Sequence, residues 1–267
     1  MIHHDRRGFT LAELIVVAVV GGFLIAATFE VLITNQRTYT AQNAQIQGTQ
    51  ALRGAADVLS AELREISPAG GDLVSMGSDS IHIRAGRHFG VACAVVTTPA
   101  PKLTVFKVGD WFADDDSVFV FADNDGTTAD DDVWITTKVT ARDTTASCGP
   151  AKAQDLTLGG ATAAFAADSV SQGAEVRSFT HYTYGLVQYE GEYFLGRRGA
   201  NGTTVPLVGP LSSNGITFDY LDSDGNSTTV STDVAQVEIT LRTSSDVLDS
   251  RGKPVADSLT IRVQTRN

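Results

Sequence analysis

Residues 9–29 read FTLAELIVVAVVGGFLIAATF and are almost entirely apolar. As a helix, this stretch is long enough to cross the ~30 Å hydrocarbon core of a bilayer. Arg6 and Arg7 precede it, and basic residues beside a span favour keeping that end in the cytoplasm. The stretch therefore predicts a single transmembrane helix with a cytoplasmic N-terminus.

A carboxylate, Glu13, interrupts the apolar stretch. Charges inside membrane helices are costly and usually have a partner, which neither an ordinary signal anchor nor a cleaved secretory signal peptide would provide. Cleavage after Gly8 would provide one, because Phe9 would then carry a free amine one helical turn from Glu13. In a stack of identical helices, Glu13 of one subunit would neutralise the amine of the next subunit.

Residues 7–14, RGFTLAEL, resemble the type III signal of type IV prepilins and type II secretion pseudopilins. The resemblance implies that a prepilin peptidase cuts between Gly8 and Phe9 and N-methylates Phe9. It implies that Glu13 serves charge neutralisation during assembly with other pilin or pseudopilin subunits. It also implies an inner-membrane protein with a periplasmic head, which later enters a pilus or pseudopilus filament.

The segment after the membrane span, residues 30–66, predicts a periplasmic continuation of the helix. It contains no proline, and its apolar residues recur at helical spacing. A helix over residues 9–66 would be about 87 Å long at ~1.5 Å per residue. Ser67-Pro68 and Gly70-Gly71 predict its end. The apolar stripe on its last turns comprises Leu52, Ala55, Ala56, Leu59, Leu63 and Ile66.

Residues 67–267 alternate short apolar runs with Gly, Pro, Asp and Asn clusters, which is typical of strands and turns. Glu190-Gly191 predicts a two-residue hairpin turn. Residues 151–173 are rich in Ala, Gly, Ser and Asp, and we expect a loop or an insertion there. The predicted fold class is α+β: residues 1–8 form a cleaved leader, and the long N-terminal helix packs on one antiparallel β-rich head.

Two head segments resemble those of W-type minor pilins and J-type minor pseudopilins. They are residues 189–198, YEGEYFLGRR, and residues 215–225, GITFDYLDSDG. This resemblance implies a minor subunit of the filament.

The chain has two cysteines, Cys93 and Cys148, and no Cys/His spacing typical of zinc sites. Both follow the predicted span and would lie in an oxidising compartment. A disulfide between them would close a loop of about 56 residues and stabilise the fold by about 4 kcal/mol. The alternative is two separate buried thiols.

Asp222, Asp224 and Asn226 alternate around Gly225. Oxygen ligands in a flexible loop are suited to Ca²⁺, although this loop lacks the glutamate that closes an EF-hand. The same residue types form ordinary turns. Both interpretations stay open, and no other cofactor is expected.

The formal net charge of −11 would repel a phosphate backbone, so nucleic acid is not an expected partner. The sequence also lacks the Gly-x-Ser-x-Gly, His-Glu-x-x-His and Walker patterns, and no enzymatic activity is expected. The leading hypothesis is a structural pilus subunit. The alternative, with the same N-terminal processing and helix-based assembly, is a type II secretion pseudopilin. A membrane-anchored periplasmic binding protein, from another class, would keep its N-terminus uncut.

Overall fold

The computed structural model describes residues 11–124, 132–160, 162–167, 170–249 and 251–266. Its first element, α1 (Leu11–Glu65), is one unbroken helix of 55 residues and about 82 Å. No proline interrupts its backbone hydrogen bonds, and the Gly21-Gly22 pair does not break it. The long N-terminal helix predicted from the sequence is confirmed.

The end of α1 is fixed by local hydrogen bonds. Pro68 disfavours helical geometry at the residue before it. The Ser67 amide donates to Asp72 Oδ2 (2.9 Å), and the Gly70 amide donates to Ser67 Oγ (3.2 Å). Gly71 then takes a φ of +80°, a conformation that glycine adopts without a steric cost. The chain thereby turns away from the helix axis into the first strand.

Fourteen strands follow α1 in the described part of the chain. In chain order they are β1 (Leu73–Met76), β2 (Ser80–Val96), β3 (Lys102–Val108), β4 (Ser117–Ala122), β5 (Val133–Asp143), β6 (Ser147–Cys148), β7 (Ala151–Lys152), β8 (Gln154–Gly159), β9 (Glu175–Tyr189), β10 (Glu192–Gly199), β11 (Thr204–Leu211), β12 (Ile216–Leu221), β13 (Gln236–Leu248) and β14 (Pro254–Gln264). A short helix, α2 (Thr162–Ala167), follows β8, and a 3₁₀ turn (Ser231–Asp233) precedes β13.

The C-terminal half of α1 packs against β11, β13 and β14. Strands β12, β13 and β14 form an antiparallel three-stranded sheet, whereas β11 is the edge of a larger sheet in the order β9-β10-β11. Together they enclose one hydrophobic core, to which β2 also contributes. The predicted helix stripe is buried in this core: Leu52, Ala55, Ala56, Leu59, Leu63 and Ile66.

Six described strands close into an antiparallel ring in the order β2-β3-β8-β5-β4-β9, because β9 pairs back onto β2. The interior of this barrel is a second hydrophobic cluster, separate from the core around α1. Strands β2 and β9 are long enough to belong to both parts: their ends near β1 and β10 face α1, and their other ends form the barrel. The antiparallel β-rich head is confirmed.

The β9–β10 hairpin has the turn predicted at Glu190-Gly191. Both residues have positive φ values, +50° and +88°, as a two-residue type I′ turn requires. Tyr189 pairs with Glu192 on either side of it.

The loop predicted over residues 151–173 is wrong for Gln154–Gly159, which form the barrel strand β8. Gln154, Leu156 and Leu158 alternate inward and are buried, and β8 pairs with both β3 and β5. Leu156 and Leu158 are the only large apolar residues in this strand. They are too few to reveal the alternation typical of a strand, because small residues surround them in the sequence. The stretch nevertheless belongs to a barrel that lies apart from the helix-packed core.

Cys93 on β2 and Cys148 on β6 are joined as a disulfide, with their Cα atoms 5.9 Å apart. The pair are 55 positions apart in the sequence. The bridge ties the β6–β7 hairpin to one of the two strands that the barrel shares with the helix-packed sheet.

Leu59→Ala should lower the free energy of unfolding by about 2–5 kcal/mol, because Leu59 is fully buried where α1 meets the sheets. The matched control is Leu248→Ala, since Leu248 is 54% exposed and its truncation should change stability by less than about 0.5 kcal/mol. Urea unfolding of the full chain in detergent gives both values. Equal effects of the two substitutions would contradict the docking of α1 on the head.

The disulfide should leave no thiol open to alkylation until a reductant is added, and both thiols should then react. Replacing Cys93 and Cys148 together by serine should lower the free energy of unfolding by about 4 kcal/mol. Intact mass after alkylation gives the first result and urea unfolding the second, with Cys93→Ser alone as the control that exposes one thiol. Two reactive thiols in the unreduced protein would show that the bridge does not form.

Candidate functional site

The N-terminal half of α1 is the most unusual surface of the described chain. Its large apolar side chains point outward all around the helix and are 46–79% exposed: Leu11, Leu14, Ile15, Val16, Val17, Val19, Val20, Phe23, Leu24, Ile25, Phe29, Val31, Leu32 and Ile33. A window of this helix has a mean hydropathy of 2.4, and none of that window is buried. A helix that is apolar on every side belongs in lipid or among other apolar helices.

Glu13 is the acidic residue in the first turn of α1. A negative charge is favoured there, because the helix dipole and the unpaired backbone amides make the N-terminus positive. The next carboxylate along the helix is Glu30, about 26 Å away at ~1.5 Å per residue. Among the acidic residues of α1, Glu13 is therefore the one within a helical turn of a cleaved N-terminus. Gly8 and Phe9 themselves lie outside the described residues.

The polar side chains of the exposed helix are bonded to the helix itself. Thr28 Oγ1 donates to the Leu24 carbonyl oxygen (2.8 Å), and Thr38 Oγ1 donates to the Thr34 carbonyl oxygen (2.9 Å). A hydroxyl bonded in this way can enter an apolar environment at a reduced cost. Thr28 is therefore compatible with the membrane span.

Gly21 and Gly22 leave open space on the exposed helix. A Cβ atom built at either position would meet no atom within 4 Å. Small residues of this kind allow a second helix to approach the backbone closely. The unbroken geometry of α1 favours this packing role over a local weakening of the helix.

The predicted calcium loop is a compact turn between β12 and β13. Asp222 Oδ1 accepts hydrogen bonds from the amides of Asp224 (3.0 Å) and Asn226 (2.8 Å). The Asp222 carboxylate thus already caps its own turn, which is an ordinary use of aspartate. No group of three or more His, Cys, Asp or Glu residues in the described ranges is arranged to hold a metal ion. Calcium binding at Asp222, Asp224 and Asn226 stays a prediction.

The structure brings together a serine, a histidine and an aspartate that sequence analysis did not connect. His88 Nδ1 lies 2.8 Å from Ser178 Oγ and 3.2 Å from Asp116 Oδ2. A catalytic relay needs the two ring nitrogens to serve different partners, one the nucleophile and the other the carboxylate. Here one nitrogen faces both, and Ser178 is 1% exposed. The grouping is therefore a structural hydrogen-bond cluster, and its members are too far apart in the sequence to form a recognisable motif.

A second histidine contact lies on the sheet face opposite α1. His181 Nδ1 is 3.2 Å from His82 Nε2, on the neighbouring strand. Burial lowers the pKa of His181, and the nearby His82 and Arg84 lower it further. The neutral imidazole of His181 is therefore favoured at this position.

Arginines and aromatic rings join the barrel to the helix-packed sheet. The Arg177 guanidinium lies 4.2 Å from the centre of the Trp134 ring, and the Arg84 guanidinium lies 5.3 Å from the centre of the Phe119 ring. Asp72 is buried beside both arginines; burial raises its pKa, although the Ser67 amide and the two arginines oppose this shift. These contacts are cation–π and charge interactions that fix the joint rather than form an open site.

Comparison with known proteins bears on the N-terminus alone. Residues 3–29 match the family model described as "Prokaryotic N-terminal methylation motif". No curated protein and no solved structure matches the chain. The matched residues include Gly8, Phe9 and Glu13 and extend along the exposed apolar half of α1. The chain therefore carries the N-terminal signal of type IV prepilins and pseudopilins, and the match supports a pilin-like or pseudopilin subunit.

Proposed function

We propose that the chain is a minor subunit of a type IV pilus-like filament. The observation that carries this proposal is the continuity between the methylation motif at residues 3–29 and an apolar helix surface that no other described part of the chain covers. Prepilin peptidase would cut between Gly8 and Phe9 and methylate Phe9. The exposed half of α1 would then lie first in the inner membrane, with the head in the periplasm, and afterwards among the helices of the filament.

Glu13 supplies the charge that makes the cut useful for assembly. Cleavage after Gly8 leaves an amine on Phe9, and an unpaired amine in an apolar filament core would be strongly unfavourable. The Glu13 carboxylate of an adjoining subunit compensates that charge, and the new amine compensates the carboxylate in return. One cleavage thus creates the amine that pairs with an existing carboxylate inside the filament.

The head supports a minor rather than a major subunit. The barrel formed by β2, β3, β8, β5, β4 and β9 adds a second hydrophobic cluster beyond the core that holds α1. Neighbouring heads of a filament must pack side by side around the shared helices. A barrel beside the helix-packed core enlarges each head and favours a place where few neighbours crowd it, such as an initiating or tip complex.

The same N-terminal signal also serves type II secretion pseudopilins, so a minor pseudopilin is the alternative. The two machines are distinguished by affinity purification of the tagged subunit after cross-linking in its native host. Recovery with pilus subunits supports the pilus, and recovery with secretion-system subunits supports the pseudopilus.

Coexpression with a prepilin peptidase should yield a chain that begins with N-methylated Phe9. Gly8→Val should abolish this cut, because a side chain at the cut site obstructs close approach of the protease to the backbone. Gly21→Val is the matched control, and its processing should be unchanged. N-terminal mass spectrometry gives the result. A wild-type chain that keeps Met1, or one cut near Thr28, would favour a membrane-anchored binding protein or a secretory signal instead.

Glu13→Ala should leave cleavage intact but lower incorporation into filaments by about tenfold or more, because the amine of the neighbouring subunit loses its buried partner. Glu30→Ala removes a carboxylate farther along the same helix and should have a much smaller effect. Quantitative immunoblots of sheared filaments and of membranes give the incorporated fraction. Equal incorporation of both variants would exclude the charge-pairing role of Glu13.

A further inference from the structure

The β13–β14 hairpin extends from the head along α1 toward the apolar span. Thr49 Oγ1 on α1 donates to Asp257 Oδ2 on β14 (3.3 Å), so these two residues lie side by side at the same height along the helix. The hairpin continues for about five residues beyond Asp257, or about 17 Å at ~3.3 Å per residue. The same distance along α1 is about eleven residues, which places the tip near Thr38.

The residues that line the cleft between α1 and the hairpin agree with this position of the tip. A cleft of about 890 Å³ separates them. Its lining includes Thr34, Arg37 and Thr38 of α1, together with Leu248, Arg251 and Pro254 of the hairpin. The tip therefore lies alongside the first polar turn that follows the apolar half of the helix.

The distance from the tip to the apolar span matches one layer of lipid headgroups. The dense run of exposed apolar residues of α1 ends at Ile33, directly before the cleft begins at Thr34, and only Tyr39 and Ile46 follow as isolated exposed apolar side chains among the described residues of α1. From Ile33 to the level of Thr38 is about 8 Å. The headgroup region on each side of a bilayer is roughly 5–8 Å thick. Val31, Leu32 and Ile33 extend the apolar surface four residues beyond the predicted span limit at Phe29. A chain inserted to Ile33 would therefore bring the hairpin tip to the membrane surface.

The side chains of the tip suit that surface. Arg251 and Lys253 are exposed on the hairpin, and Arg37 faces the same cleft from α1. Asp249 holds Arg251 at 2.9 Å and thereby offsets part of its charge, while Lys253 makes no ion pair with any described residue. The exposed Asp246 lies farther from the tip on β13, so the end of the hairpin itself stays basic. Leu248, 54% exposed, adds an apolar side chain beside these basic groups. Basic groups beside an apolar residue are typical of segments that lie at a membrane interface.

We propose that the tip of the β13–β14 hairpin rests in the headgroup layer of an anionic phospholipid membrane before the subunit enters a filament. This inference rests on the proposed function, because it requires α1 to span the membrane. The contact gives the head a second attachment beside its single helix and limits the tilt of the head over the bilayer. Extraction into a filament breaks the contact.

The test places a fluorescent label at introduced cysteines in the full, disulfide-bonded chain, reconstituted in phosphatidylethanolamine–phosphatidylglycerol vesicles. Quencher lipids carry a nitroxide on the headgroup or in the middle of the acyl chain. A label on Leu248→Cys should be quenched mainly from the headgroup. A label on Phe23→Cys should be quenched mainly from the acyl chain, and one on Thr144→Cys, in the turn that follows the barrel strand β5, from neither position.

Charge reversal of the tip gives a second readout. Arg251→Glu with Lys253→Glu should lower the ratio of membrane-bound to free hairpin by about fivefold for each basic residue lost, and headgroup quenching at Leu248→Cys should fall accordingly. Arg198→Glu with Lys152→Glu makes the same change in net charge at exposed sites elsewhere on the head and should leave the quenching unchanged. High salt should weaken the wild-type signal.

The outcomes separate the two proposals. Quenching of the Phe23 label from the acyl chain without headgroup quenching of the Leu248 label would overturn the hairpin contact and leave membrane anchoring intact. Loss of acyl-chain quenching at Phe23 would overturn the anchoring, and the hairpin contact with it. Equal effects of the tip and control charge reversals would show that the tip has no specific contact with anionic headgroups.

Discussion

The packing of the C-terminal half of α1 into the head is the interaction on which the rest of the structure depends. Its buried stripe consists largely of small residues, so strands approach the helix closely. A Cβ atom at Gly48 would lie 2.9 Å from a methyl carbon of Thr243 on β13, and one at Gly54 would lie 3.1 Å from Val208 on β11. Leu59 and Leu63 fill the space that remains. The head is thus fixed to one side of the last turns, whereas the first turns stay uncovered.

Strands β2 and β9 run from the helix-packed core into the barrel, and the same face of each strand is buried in both. Side chains eight positions apart on a strand lie on the same face, and Val176 and Tyr184 of β9 are such a pair. Tyr184 packs with α1, and Val176 lies in the barrel interior. Beyond the reach of α1, the same face of the sheet therefore becomes the interior of the barrel, where it is buried by the other barrel strands.

The sequence predicted those elements whose formation depends only on interactions between residues close together in the chain. The apolar stretch, the stop at Ser67-Pro68 and the turn at Glu190-Gly191 each require only neighbouring residues. Closure of the barrel could not be predicted, because β3 pairs with β8 and β4 pairs with β9 across more than about 40 intervening residues, and no local pattern specifies such partners. The cluster of His88, Asp116 and Ser178 was missed for the same reason: it exists only because the ring closes.

Under the proposed function, α1 would leave the membrane and enter a filament. Lipid tails and apolar helices solvate leucine and valine about equally well, so the exposed apolar face gains little hydrophobic free energy in this step. Close packing and charge pairing must then provide the difference. Gly21-Gly22 offers the open backbone for the first, and Glu13 offers the charge for the second. Under that function, the few residues that depart from an ordinary apolar span would be the ones that let the helix leave the membrane for a filament, whereas a plain anchor would need none of them.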